Sequence, residues 1–264
     1  MELEAKTKRL ASFLKRLPGL TVALSGGLDS SALLILAKEI LGPERVEAVT
    51  ISSAIMPEGD LRRAGLLAAG LGIEHLVVPF DHLRLEAFRQ NPPDRCYHCK
   101  KAMFAKLKEL SRFPLADGTQ AEDLKEDRPG LRALAELGIL SPLKEAGFRK
   151  EELRRIARRA GLDHHRREAS PCLATRFPPG EEITAEKIAL VGEAEAYLAA
   201  QGWRKVRVRI ARGLALVEVA RQDLEKAFFF RGEISAYFRK LGFRKVFLML
   251  EGYRPPLLTP DDHP

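Results

Sequence analysis

No apolar run in this sequence approaches the ~20 residues that a membrane-spanning helix needs, so a helical anchor of that kind is not expected. Cysteine is nearly missing, with only Cys96, Cys99 and Cys172 in 264 residues. An odd, sparse set argues against a disulfide framework and points to metal or catalytic use of the thiols. Disorder of the whole chain is also unexpected. Hydrophobic residues are 45% and charged residues 30% of the total, which leaves ample apolar surface to offset chain entropy. The opening MELEAKTKRLASFLKRLPGL sets Leu3, Leu10, Phe13, Leu14 and Leu17 among charges. It reads as an amphipathic surface helix without the unbroken apolar stretch of a signal peptide, and a cytoplasmic location is the expectation.

What the sequence does have is positive charge. Lysine and arginine number 44 against 36 acidic residues, a net charge of +8. That suits an anionic partner such as a nucleotide or RNA, and it equally suits the solvated basic surface of a heat-adapted protein. The stretch RKEELRRIARR (149–159) is the densest basic run. No aromatic-interleaved basic groove or zinc-knuckle cysteines accompany it, so nucleic acid is not the expected partner.

Short apolar runs alternate with helical stretches through the first two thirds of the chain. LTVAL (20–24), VEAVTIS (46–52), EHLVVPF (74–80) and PLADG (114–118) read as strands. Residues 30–41, 61–71, 96–112 and 150–160 read as helices. This alternation implies βαβ units and the α/β class, with a doubly wound parallel sheet. Residues 119–130 are polar, end in Pro129-Gly130, and read as a loop at the carboxyl edge, where open α/β sheets bind ligands. After a polar segment over 163–183 the pattern changes. A helix (183–201), two paired strands (205–210 and 214–220), one long helix (223–241) and a last strand (245–251) suggest a small α+β domain. The expected division is 1–180, 181–254 and a Pro-rich tail at 255–264, with no internal repeat beyond the similar GWRKVRV (202–208) and GFRKVFL (242–248).

SGGLDSS (Ser25 to Ser31) falls directly between the first strand and its helix. Gly26 and Gly27 let the backbone approach an anion, and the helix-start amides with the Ser25, Ser30 and Ser31 hydroxyls complete a phosphate cradle. There is no Gly-Lys-Ser/Thr, so this is not a Walker A loop. A cradle without that lysine suits a pyrophosphate leaving group while the α-phosphate is attacked. Asp29 is the candidate magnesium carboxylate. A glycine turn with serine and aspartate caps, as any βα junction can carry, is the plainer alternative.

SGGLDSS resembles the PP-loop signature of the adenine-nucleotide α-hydrolase superfamily, which implies cleavage of ATP to AMP and pyrophosphate through an adenylated intermediate. Two further stretches, ADGTQAEDLKEDRPGLRALAELGILSPL (116–143) and SPCLATRFPPGEEIT (170–184), resemble the LarE family of sulfur transferases. The resemblance runs from about residue 10 to about residue 250, with Gln120 where the family usually has Asn. It implies a PP-loop domain over 1–180 and thiolation of a pyridinium biscarboxylate mononucleotide during synthesis of the nickel-pincer nucleotide cofactor. Asp117, at a strand's carboxyl end, is expected to share magnesium or orient ATP. Asp123, Asp127 and Arg128 follow it on a loop where plain solvation is the alternative. Arg176 could neutralise a substrate phosphate or carboxylate. The resemblance carries substrate-phosphate roles to Arg207 and Arg209, which share one strand face and for which plain strand-face solvation is the alternative, and it implies a homo-oligomer.

Cys96 and Cys99 flank Tyr97-His98 at the start of a predicted helix, and Cys172 lies in PCLATR. In the family, a single cysteine at that last motif gives up its own sulfur. The three-cysteine version, which this chain resembles, is expected to hold a 4Fe–4S cluster. Three thiolates leave one iron open to an extra sulfide, while a redox or buried CxxC pair is the rival. A sulfur-donor protein or free sulfide would supply the sulfur. Adjacent His164 and His165 point to opposite faces of an extended stretch and make a poor chelating pair. Two rival functions share the nucleotide loop: a tRNA thiolation enzyme and a non-catalytic adenine-nucleotide sensor.

Overall fold

The computed structural model describes residues 2–57, 59–125, 129–162, 171–203 and 205–253. Asp127, Arg128, His164, His165 and the tail at 255–264 lie outside them. The chain divides into two compact units, Met1–His82 with Asp94–Ser170, and Leu83–Pro93 with Pro171–Pro264. Among the described residues no helix is long and apolar enough to cross a membrane.

In the first unit, strands β1 (Leu20–Ala23), β2 (Val46–Ser52), β3 (Glu74–Pro79) and β4 (Leu115–Ala116) form a parallel sheet in the order β3-β2-β1-β4. Its helices are α1 (Glu2–Leu14), α2 (Leu28–Leu41), α3 (Asp60–Leu71), α5 (Arg95–Leu110), α6 (Pro129–Glu136), α7 (Pro142–Ala146) and α8 (Lys150–Arg159), while α4 (Glu86–Arg89) belongs to the second unit. β1 and β2 are buried almost throughout, as central strands covered on both faces should be. α2 is apolar nearly all round and is packed as a core helix: Leu33, Leu34, Leu36 and Ala37 are buried with Leu20, Val22 and Phe148. The order runs outward from β1 to β3 and then returns to place β4 on the other side of β1. The carboxyl ends of β1 and β4 therefore flank a topological switch point, the usual ligand crevice of such sheets.

In the second unit, β5 (Val206–Ala211) pairs antiparallel with β6 (Leu214–Val219), and β7 (Lys245–Leu248) lies parallel to β6. The helices α9 (Ala185–Ala200), α10 (Leu224–Phe229) and α11 (Arg231–Leu241) complete it. The two similar sequence stretches are two copies of one helix stop. Gly202 and Gly242 take φ of 82° and 113°, and the next amides, Trp203 and Phe243, bond back to Leu198 and Phe238. This is the six-to-one closure of a glycine C-cap, and it turns the chain with a buried aromatic.

Three expectations change in detail. The single helix over 223–241 is broken at Phe230, which ends α10 and precedes α11. Consecutive Phe228, Phe229 and Phe230 cannot share one helix face, and the first two are largely exposed. The loop over 119–130 holds a short 3₁₀ turn at Ala121–Lys125, and its Pro129-Gly130 begins α6. The units part at Pro171, with Leu83–Pro93 included in the second. There Asn91 donates to the Phe177 and Pro178 carbonyls (3.4 and 2.6 Å) and accepts from the Gly180 amide (2.8 Å).

Candidate functional site

β1 stops at Ala23, and Ser25, Gly26 and Gly27 carry the chain into α2. Gly26 has φ of 73°, and a Cβ there would collide with the Asp60 carbonyl, so glycine is required twice over. At Gly27, the N-cap of α2, a Cβ would meet only the Ser25 hydroxyl, at 3.2 Å. The Ser25 and Ser30 hydroxyls bond each other (3.0 Å), Ser30 takes the Ser25 amide (3.1 Å), and Ser25 takes the Gly27 amide (3.3 Å). Ser31 is fully buried, and its hydroxyl has no partner among the described residues. The remaining first-turn amides of α2 lack intrahelical acceptors by helix geometry, so the loop meets an anion with ready donors.

Asp29 stands in the first turn of α2. Its Oδ2 accepts from Lys150 Nζ at 2.8 Å, and its Oδ1 is buried with no partner among the described residues. Burial pushes the Asp29 pKa up. The Lys150 bond and charge act against this, and the Asp123 charge adds to it. An orphaned, ionisable oxygen at a phosphate loop fits a magnesium ion, which takes one or two carboxylates and completes its shell with phosphates and water. Asp117 is placed differently. It follows β4, is buried, and both of its oxygens accept hydroxyls, one from Thr119 and the other from Ser141 (2.7 Å). Asp123 accepts from the Gln120 amide (3.0 Å), and buried Gln120 accepts from the Glu122 amide (2.9 Å). The Asp117 loop is thus internally fastened.

The sequence reading does not single out Lys150 or Gly118. Lys150 begins α8, 121 residues after its partner, and no local pattern announces the pair. Gly118 had a signal in its place after Asp117 at a strand end. A Cβ there would stand 2.7 Å from the Ser30 amide nitrogen, so only glycine lets the β4 loop approach the first turn of α2.

The second unit gathers the remaining charged residues. Arg176 is 2% exposed. It grips both Glu195 oxygens (2.8 and 2.9 Å) and donates to the carbonyls of Pro171 (3.2 Å) and Cys172 (3.4 Å) and to the Thr175 hydroxyl (2.7 Å). Its guanidinium is occupied inside the unit and fastens the turn that carries Cys172. Arg209 likewise grips Glu218 (2.6 and 3.3 Å) and the Thr175 carbonyl (2.9 Å). Arg207 shares its strand face, half-buried, 5.4 Å from the Tyr253 ring centre. Burial, and next the neighbouring Arg176 charge, push the Arg207 pKa down. Three guanidinium groups here face two carboxylates, Glu195 and Glu218, and the balance is positive.

Among the described residues, Cys96, Cys99 and Cys172 form no disulfide. Cys96 and Cys99 lie one turn apart on α5, and Arg95 donates to the Cys96 sulfur (3.6 Å). His98 bonds Asp94 (3.2 Å). Cys172 belongs to the second unit. Among the described residues no three His, Cys, Asp or Glu side chains stand gathered as a metal-holding group. Thiols are the ligand type that an iron–sulfur cluster takes.

The NAD synthase family matches residues 8–111. An uncharacterized protein of Synechocystis is 36% identical over 260 residues, 96% of each chain. The pyridinium-3,5-bisthiocarboxylic acid mononucleotide synthase of Lactiplantibacillus plantarum is 34% identical over 256 residues, 96% of this chain and 93% of its own. An uncharacterized protein of Methanocaldococcus jannaschii is 35% identical over 237 residues, 88% of this chain and 90% of its own.

Proposed function

Because the chain belongs to the LarE family of ATP-dependent sulfur transferases, we propose that it acts on pyridinium-3,5-biscarboxylic acid mononucleotide, exchanging carboxylate oxygen for sulfur. ATP lies with its β- and γ-phosphates against Ser25–Ser31. Magnesium belongs at Asp29, where the unpartnered Oδ1 is the observation that carries the reading. Lys150, already 2.8 Å from that carboxylate, adds the positive charge that the missing Walker lysine would have brought to the departing pyrophosphate. Asp117 orders the facing loop through Thr119 and Ser141.

A substrate carboxylate oxygen attacks the α-phosphorus, the bond to the bridging oxygen breaks, and pyrophosphate leaves. The acyl-adenylate formed has a carbonyl open to nucleophiles. Attack by a hydrosulfide-level sulfur expels AMP and leaves a thiocarboxylate, with one proton released. Arg207, in the positive cluster supported by Arg176 and Arg209, takes the substrate phosphate. Cys96, Cys99 and Cys172 would hold a 4Fe–4S cluster, which would supply sulfide-level sulfur to the activated carbonyl. Arg176 positions Cys172 by bonding its carbonyl. Free sulfide or a sulfur-donor protein refills the site, and the working form is a homo-oligomer.

The test is product analysis. Wild-type protein, ATP, magnesium and the biscarboxylate mononucleotide should give AMP and pyrophosphate in equal amounts, dependent on the mononucleotide. ADP and phosphate as products overturn the adenylation.

A further inference from the structure

α8 has a narrow apolar stripe. Leu153, Ile156 and Ala157 are its buried residues, and its first turn, Lys150 to Glu152, lies outside that stripe, so packing alone does not hold the start of the helix. Yet its first residue, Lys150, has to meet Asp29 at 2.8 Å. One residue of helical rotation, about 100°, would carry Lys150 away from α2.

A second ion pair lies where it can set that rotation. Lys6 of α1 is 4% exposed, and its ammonium contacts both oxygens of Glu152, at 2.8 and 2.9 Å. Glu152 Oε2 also accepts the Arg149 amide at 2.8 Å, closing the first turn of α8 around the residue next to Lys150. The Lys150 amide is itself held by Glu122 (3.1 Å). Burial works against the Lys6 charge, but its bonds to Glu152 and Glu2 overcome that, and it is held firmly protonated. A largely buried lysine-glutamate pair, with Glu152 partly exposed, is a poor choice for stability alone, since apolar residues of similar volume often serve as well or better. Its attested use is to fix register.

We propose that Lys6 and Glu152 are positioning residues that hold the start of α8 in the one orientation that delivers Lys150 to Asp29 and the leaving pyrophosphate. This rests on the role given to Lys150 above. The two residues touch neither ATP nor substrate, and their effect passes through Lys150.

A double-mutant cycle tests it. The full-length protein is assayed for AMP and pyrophosphate formation, with kcat and the KM for ATP measured separately, and for thermal melting. Lys6→Met should lower kcat about tenfold in the wild-type background and leave it unchanged in a Lys150→Met background, because the side chain being aimed is already gone. Its effect on melting should be the same in both backgrounds. Glu152→Gln keeps the shape and one acceptor, should fall between wild type and Lys6→Met, and carries the same cycle if Lys6→Met does not fold. Losses in kcat that multiply in the double variant overturn the proposal, as does a Lys150→Met protein with full activity. A wild-type protein that forms no AMP would instead sink the adenylation reading.

Discussion

Burial raises the Asp29 pKa, and the bond from Lys150 only partly reverses it. An acid with a raised folded pKa favours folding below its ordinary value, and that benefit is lost as pH rises through the folded value. At neutral pH the ionised Asp29 therefore works against the fold while serving the phosphates. Asp29→Asn should cut AMP formation by several kcal/mol of barrier, roughly a hundredfold or more, through lost metal-assisted neutralisation. Its melting temperature at pH 7 should be unchanged or higher, so a less stable but active variant contradicts the assignment. His82 shows the opposite pattern. It is buried, bonds Ser53 at 2.7 Å, and its pKa is pushed down to about 4, chiefly by burial and against the Asp81 charge. The stability that its neutral form provides is full above about pH 6.5, the ordinary histidine value, and is lost as pH falls toward 4. Denaturant titrations across that window should show a loss on the order of 3 kcal/mol, flattened in His82→Gln.

Arg207 and Arg209 share a strand face, but their elements use them differently. Arg209 ties β5 to β6 through Glu218 and holds the Thr175 carbonyl, whereas Arg207 lies on the same face beside Tyr253. Arg207→Ala should weaken binding of the phosphorylated mononucleotide by ~1.5–3 kcal/mol and should spare ATP binding. Arg209→Ala should lower the melting temperature as well, because the mostly buried Glu218 loses its partner. Calorimetric titration beside a melting curve separates the two. Equal effects of both substitutions on melting would remove the distinction. The shared face was legible from alternation alone, as were β1 to β3 and the helices between them, since period and turn residues act locally. β4 was legible as a strand but keeps only Leu115 and Ala116 paired, and the break at Phe230 and the helix start at Pro129 were not. The phosphate loop was legible because its glycines and serines are consecutive. Its partner Lys150, and the inward turn of Arg176 toward Glu195, join residues far apart or on separate elements, which a local pattern cannot announce.

At the scale of the whole molecule the thiols are divided, two on α5 of the first unit and one at the turn opening the second. A cysteine that gives up its own sulfur needs no CxxC, whereas the cluster proposed above needs all three thiolates, and the two routes predict different outcomes. Protein purified without oxygen should contain iron and sulfide and turn over repeatedly with added sulfide. Air should remove iron and activity together, because a cluster with an open iron is oxidatively fragile. Cys96→Ala, Cys99→Ala and Cys172→Ala should each do the same to a similar degree, since every thiolate would be one ligand of the proposed cluster. Arg176→Lys belongs with them as a milder case, as it loosens the Cys172 carbonyl without touching sulfur. The contrary outcome is equally specific. Suppose that iron-free protein performs one turnover in air and mass spectrometry finds Cys172 lighter by about 34 Da, one hydrogen sulfide, a loss that lies off the cysteine oxidation ladder. The Cβ–Sγ bond has then broken, the sulfur has left with the substrate, and Cys96 and Cys99 are a structural or redox pair.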